Sequence, residues 1–221
     1  MTANEYIYLY GMTLITTSHR LATDFPKCDN YCEINESHRL PGGETGTCAI
    51  VLANLDLNVQ IDGNFLGRST YPELIKYFDS SKVSLELMTF DPDFEGLEDM
   101  VFIDQYSRTG FGRFCHFFAD HSIHRWNQPN EAAIKQAKVV GLDPFFFDDS
   151  VEVARLCSKH KVNLLRLTTI TLRRLKKSLD EWVAGWLHGS AENTDAGHGN
   201  HTGRDLELSE RVCTARGALR A

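Results

Sequence analysis

The chain has 221 residues, of which 42% are hydrophobic, 24% charged and 10% aromatic, with a formal net charge of −7 and a pI near 5.7. That length is enough for one substantial α/β core, or for one domain with an appended tail. The acidic balance excludes nucleic acid as the main partner, because phosphate neutralisation requires a clustered basic surface. No stretch approaches the roughly 20 apolar residues of a membrane span and the N-terminus has no basic-then-apolar leader, so no membrane association and a cytoplasmic location are expected.

The six cysteines, Cys28, Cys32, Cys48, Cys115, Cys157 and Cys213, are scattered through the chain, a pattern of free thiols more than of a disulfide framework. Cys28, Cys32 and His38 lack a fourth ligand. The pairs His121 with His124 and His198 with His201 lack a third, so no metal site is expected from either set.

In chain order, residues 5–15 (EYIYLYGMTLI) form an aromatic and β-branched run that predicts a first, buried strand. Residues 22–40 carry turn formers between short apolar pieces. From Leu40 to Gly67 several local signals agree. Pro41, Gly42 and Gly43 break the backbone, Thr45 is positioned as an N-cap, and Cys48, Ala49, Val51, Leu52 and Leu55 have helical spacing. After Asp56, Val59 and Ile61 alternate as a short strand that closes on Gly63 and Gly67. A Gly-Gly turn at a helix N-terminus presents unpaired N–H groups with little side-chain bulk, so an oxygen-rich small molecule can approach closely. The plain alternative is a tight turn and nothing more.

Further along, residues 71–80 predict a helix with Pro72 in its first turn, 83–90 a strand, 91–98 an acidic loop and 100–106 another strand. The segment 108–120 holds Gly110 and Gly112, but no third glycine follows and its residues favour strand over helix, so a hairpin turn is expected in place of a nucleotide loop. Arg108 and Arg113 have no place in a motif. Residues 130–160 repeat the α/β rhythm: a helix from Asn130, a strand ending at Asp143 and Pro144, and a capped helix opening at Asp148. Asp143 and Asp148 are candidate site residues, with strand-end and cap roles as their plainer readings.

The run GGETGTCAIVLANLDLNVQIDGNFLG, residues 42–67, resembles the Gly-Gly-x-x-x-Asn helix, strand and Gly-x-x-G segment of the PfkB (ribokinase-like) carbohydrate kinases. The resemblance covers roughly residues 5–160. It implies a three-layer α/β/α fold with a mainly parallel sheet, to which residues 22–40 add a small β lid. It also implies a sugar or nucleoside-like substrate, ATP and Mg²⁺ as cofactors, and a homodimer formed through the lid. The family's glycine pair and Asn contact sugar hydroxyls, which carries substrate binding onto Gly42, Gly43 and Thr47, with Thr in place of the Asn. Five residues beyond a strand-ending glycine the family has an Asp that bonds the sugar; counting from Gly11, that position is Thr16.

After His160 the character changes. Residues 161–221 hold 10 Lys or Arg and 7 Asp or Glu, against 13 and 23 in residues 1–160, so the net charge flips from −10 to +3. A short strand and an amphipathic helix are expected up to about residue 188, then a disordered tail rich in Gly, Thr, Asn and Arg. The division is therefore residues 1–160 as the substrate-binding half and 161–221 as a divergent tail. The family's Asn-x-x-Glu and Asp-Thr-x-Gly-Ala-Gly-Asp motifs, which arrange magnesium, the anion hole and the catalytic base, are not found. The stretch 193–200 (NTDAGHGN) has the wrong spacing, and Asp195 is only a candidate for mutation.

Three functions stay open: a PfkB-type kinase acting on a sugar or nucleoside-like hydroxyl; a non-catalytic binding module produced by truncation, a changed reading frame or divergence; and an unrelated α/β protein.

Overall fold

The computed structural model describes residues 5–112, 114, 117 and 124–167. Among the described residues, nine strands and four helices are ordered β1 (Ile7–Gly11), β2 (Leu14–Leu21), β3 (Ile34–Gly42), α1 (Gly43–Asn54), β4 (Val59–Gly63), α2 (Tyr71–Phe78), β5 (Val83–Ser84), β6 (Glu98–Ile103), β7 (Arg108–Gly112), α3 (Glu131–Gln136), β8 (Val139–Leu142), α4 (Phe147–His160) and β9 (Asn163–Arg166). The expected tail, including Asp195, lies outside the described residues.

Five strands form an all-parallel sheet in the order β5-β4-β1-β8-β9. The sequence places β1 at its centre because the strand is apolar on both faces, as a parallel strand covered by helices must be. Leu9 packs with Ala49 of α1 and with Leu74 and Phe78 of α2. Tyr8 and Tyr10 point the other way, into a core with Ile134 of α3 and Val153, Leu156 and Cys157 of α4. Helices thus cover both faces, and the mainly parallel three-layer α/β/α arrangement expected from the sequence is present. The tyrosine hydroxyls both find acceptors: Tyr8 donates to the buried Asp62 Oδ2 at 2.7 Å and Tyr10 to the Asn127 carbonyl at 2.5 Å. Leu74 is fully buried, so Leu74→Ala is expected to cost about 2–5 kcal/mol, read as a lowered urea midpoint with an unchanged slope.

A second, four-stranded sheet in the order β3-β2-β6-β7 is the lid. Residues 5–15, expected as one strand, are two. The chain leaves the parallel sheet after Gly11 and enters the lid at Leu14, because Asn64 takes over the backbone pairing of the step between them: Thr13 N–H donates to Asn64 Oδ1 at 2.7 Å, and Asn64 Nδ2 donates to the Thr13 carbonyl at 2.9 Å. The expected strand over 83–90 shrinks to Val83 and Ser84. Beyond it the backbone turns, with Met88 N–H on the Leu85 carbonyl and the Leu87 carbonyl taken by Asn127 Nδ2 at 2.7 Å. Gly110 and Gly112 lie within β7, antiparallel to β6, and the hairpin turn falls earlier, where Asp104 Oδ1 accepts from Tyr106 N–H and Ser107 N–H. Arg39 of β3 ties the lid to α2, pairing with Glu73 and Glu98 at 2.8 Å each. These groups are partly exposed, so the pairs orient the lid more than they stabilise it.

Candidate functional site

The strand order carries a switch point. From β1 the sheet grows to β4 and β5 on one side and to β8 and β9 on the other. Helix α1, which enters β4, covers the Leu9 face, while α4, which follows β8, covers the Tyr8 face. The connections therefore part to opposite sides beyond the carboxyl ends of β1 and β8, opening the crevice in which α/β sheets hold their ligands.

Three backbone pieces meet there. The first is the Gly11, Met12, Thr13 step. The second is the glycine turn: Gly42 ends β3 and is the N-cap of α1, with no side-chain cap, so the helix begins with its first N–H groups uncapped by a side chain. The expectation that Thr45 caps the helix is corrected here. Thr45 sits inside the first turn, fully buried, and its Oγ1 has no hydrogen-bond partner. The third piece is Asp143, directly after β8. Its backbone N–H donates to the Tyr10 carbonyl at 2.9 Å, and its Oδ2 accepts from Met12 N–H at 3.3 Å. Asp143 Oδ1 is buried without a partner, as is Thr13 Oγ1.

Close approach explains the glycines. A Cβ on Gly11 would lie 2.4 Å from Asp143 Cβ and 2.6 Å from Thr45 Oγ1, and one on Gly42 would lie 1.8 Å from Thr16 Oγ1. Gly43 has φ +74°, and a Cβ there would lie 2.3 Å from the Met12 carbonyl oxygen. Burial, with the Glu44 carboxylate adding to it, pushes the Asp143 carboxyl up to about 8, against the opposing hydrogen bond from Met12 N–H. Near neutral pH it is therefore poised to donate as well as accept.

Of the residues expected from the sequence, Gly42, Gly43 and Thr16 are contiguous. Thr47 is exposed one turn further along α1, on the side of Gly43. Asp143 and Asp148 separate. Asp143 enters the crevice, whereas Asp148 is an exposed residue in the first turn of α4, whose N-cap is Phe146, so its expected capping role is corrected. Ser150 supplies the side-chain contact at that terminus, accepting from Phe146 N–H at 3.0 Å. Asn64 and Thr45 were not singled out for the site from the sequence. Their placement depends on contacts with Thr13 and Gly11, distant in sequence.

A parallel sheet with helices on both faces, a β lid and an uncapped helix N-terminus at the switch point together define a ribokinase-like α/β fold. No protein-family model matches the chain, and no curated protein matches it in sequence. Among solved structures it is similar to a protein from Agrobacterium tumefaciens described as a ribokinase (TM-score 0.67, 15% identity, 79% of this chain and 56% of that one). It is also similar to Arabidopsis thaliana ribokinase complexed with ribose and ATP (TM-score 0.55, 16% identity, 73% and 53%) and to a Burkholderia thailandensis nucleoside kinase in complex with inosine (TM-score 0.55, 16% identity, 72% and 51%). Those identities show the fold alone. The chain spans about half the length of these structures.

Proposed function

We propose that this chain binds a sugar or nucleoside-like polyol at Gly42, Gly43, Thr16, Thr47 and Asp143. The observation that carries the reading is the pair of buried, unpartnered oxygens, Asp143 Oδ1 and Thr45 Oγ1, beside a helix N-terminus without a side-chain cap. Uncapped N–H groups suit hydroxyl oxygens and an unpartnered carboxylate oxygen suits hydroxyl protons, so a polyol satisfies both at once. Likeness of fold to proteins crystallised with ribose and with inosine supports the same class.

ATP and Mg²⁺ are the cofactors this fold suggests. Among the described residues no group of three His, Cys, Asp or Glu side chains is gathered, and Gly110 and Gly112 lie in a strand. Because the family's two catalytic motifs are not found in the sequence, the chain is proposed to carry out little or no ATP-dependent phosphoryl transfer, removal of transition-state donors costing about 100-fold to 1000-fold each. Association through the lid is proposed from its second face, where Phe25, Phe102 and Phe111 form an aromatic cluster and Met100, Phe25 and Phe111 are exposed. Sedimentation of the purified chain as a monomer at all concentrations would remove that part.

Amide spectra recorded while ribose, fructose and adenosine are added are expected to shift at Gly42, Gly43 and Thr47. Silence at all three would displace the site. ADP release with Mg²⁺ is expected to stay at background, and turnover of about one per second, within the ordinary enzyme range, would overturn the proposed inactivity.

A further inference from the structure

A second acidic group stands on the lid side of the glycine turn. Asp99 of β6 is in register with Thr16 of β2, and Leu14 of β2 is in register with Gly42 of β3. Strand alternation therefore puts Asp99, Thr16 and Gly42 on one face of the lid sheet, opposite the face of Met100, Phe102 and Phe111. The row is tight, since a Cβ on Gly42 would meet Thr16 Oγ1 at 1.8 Å, and it continues through Gly43 and Met12 to Asp143.

The two ends of this row share a condition. Asp99 Oδ1, like Asp143 Oδ1, is buried and has no hydrogen-bond partner. A buried carboxylate oxygen left without a donor is costly, and native structures tolerate it where a ligand or ordered water supplies the missing proton. Burial raises the Asp99 carboxyl above the ordinary carboxylate range, while the Thr16 hydroxyl and the charge of Arg108 act against that rise. Glu44 adds a third carboxylate in the first turn of α1.

We propose, resting on the polyol reading above, that Asp99 is a specificity-determining residue of this site. Its Oδ1 accepts a hydrogen bond from a ligand hydroxyl or amino group. With Glu44 and Asp143 it makes the site select neutral or amino-bearing polyols over phosphorylated or carboxylated ones. The physical reason is that a phosphate oxygen, which only accepts, would approach Asp99 Oδ1 and the Glu44 carboxylate, which offer it no proton and oppose its charge.

The test is calorimetric titration of the full chain with ribose, adenosine and ribose 5-phosphate, comparing wild type, Asp99→Asn and Asp143→Asn. Wild type is expected to bind a neutral polyol about tenfold or more tighter than the phosphate. Asp99→Asn should weaken the neutral ligand by about 10-fold to 100-fold, the loss expected for a hydrogen bond to a charged group, and narrow the gap to the phosphate. The unliganded melting temperature of each variant checks the fold. If Asp143→Asn weakens binding while Asp99→Asn retains wild-type affinity and preference, the Asp99 proposal falls and the polyol site stands. If wild type binds no neutral polyol, the polyol reading itself falls. Should Asp99→Asn not fold, wild-type preference decides, and ribose 5-phosphate binding as tightly as ribose overturns the proposal.

Discussion

Gly43→Ala is expected to lose polyol binding altogether and to destabilise the chain by about 2–4 kcal/mol, a large effect for one added methyl group. Two costs combine. At φ +74° an L side chain sits in the left-handed region, which costs roughly 1–2 kcal/mol by itself. The new Cβ would also lie 2.3 Å from the Met12 carbonyl oxygen and 3.0 Å from its carbonyl carbon, both backbone atoms that cannot swing aside. Relief requires moving the start of α1 away from the Gly11 to Thr13 step, and that movement separates the helix N–H groups from Asp143. Val51→Ala is the control, because that residue is exposed on α1 outside the proposed site and its loss leaves the turn intact. Denaturant melts together with titration of ribose measure both effects. A Gly43→Ala chain that binds and melts as wild type would show that the turn neither needs glycine nor touches the ligand.

The second large effect is expected in the pH dependence of stability. Burial, then the Glu44 charge, raises the Asp143 carboxyl to about 8, whereas an unfolded Asp titrates near 3.9. A folded-state value above the unfolded one means that the native state binds the proton more tightly. Its stabilising contribution is fully present below the unfolded value and is lost as pH climbs through about 4 to about 8. The slope approaches about 1.4 kcal/mol per pH unit for one such group. Asp62 and Asp99 are raised by burial as well, so they act with the same sign. Wild type should therefore weaken steadily from pH 5 to pH 8. Asp143→Asn keeps an oxygen for Met12 N–H and removes the titrating group, so it should gain on wild type by about 2 kcal/mol or more over that interval. Urea midpoints at four pH values give the comparison. Parallel pH profiles for the two proteins would mean that Asp143 is ionised in the fold at no cost, and the crevice is wetter than its geometry indicates.

How much of this was legible in the residues follows from the range of the forces involved. Helix α1 and strand β4 could be read because each rests on local signals: the glycine turn, the spacing of Ala49 with its neighbours, and the alternation of Val59 with Ile61. The parallel class could also be read, because strands apolar on both faces that alternate with helices have few other ways to bury themselves. The break of residues 5–15 into β1 and β2 could not. It depends on Asn64, about fifty positions away, accepting from and donating to Thr13. The short β5 has a similar cause, since Asn127 takes a carbonyl that a longer strand would need.

The candidate site divides along the same line. Composition and local pattern determined an acidic chain with a glycine turn opening a helix, and hence the candidates Gly42 and Gly43. Thr47 and Thr16 came from the family resemblance. Only the tertiary structure decided between Asp143 and Asp148, which are five residues apart and alike in local chemistry. The switch in strand order brings the end of β8 beside the end of β1, burying Asp143 against Gly11 and Thr45, while the helix that follows turns Asp148 out to solvent. Register likewise set Asp99 beside Thr16. A carboxylate acquires a raised pKa and an unpartnered oxygen from what surrounds it in space, and those surroundings are assembled from segments more than a hundred residues apart.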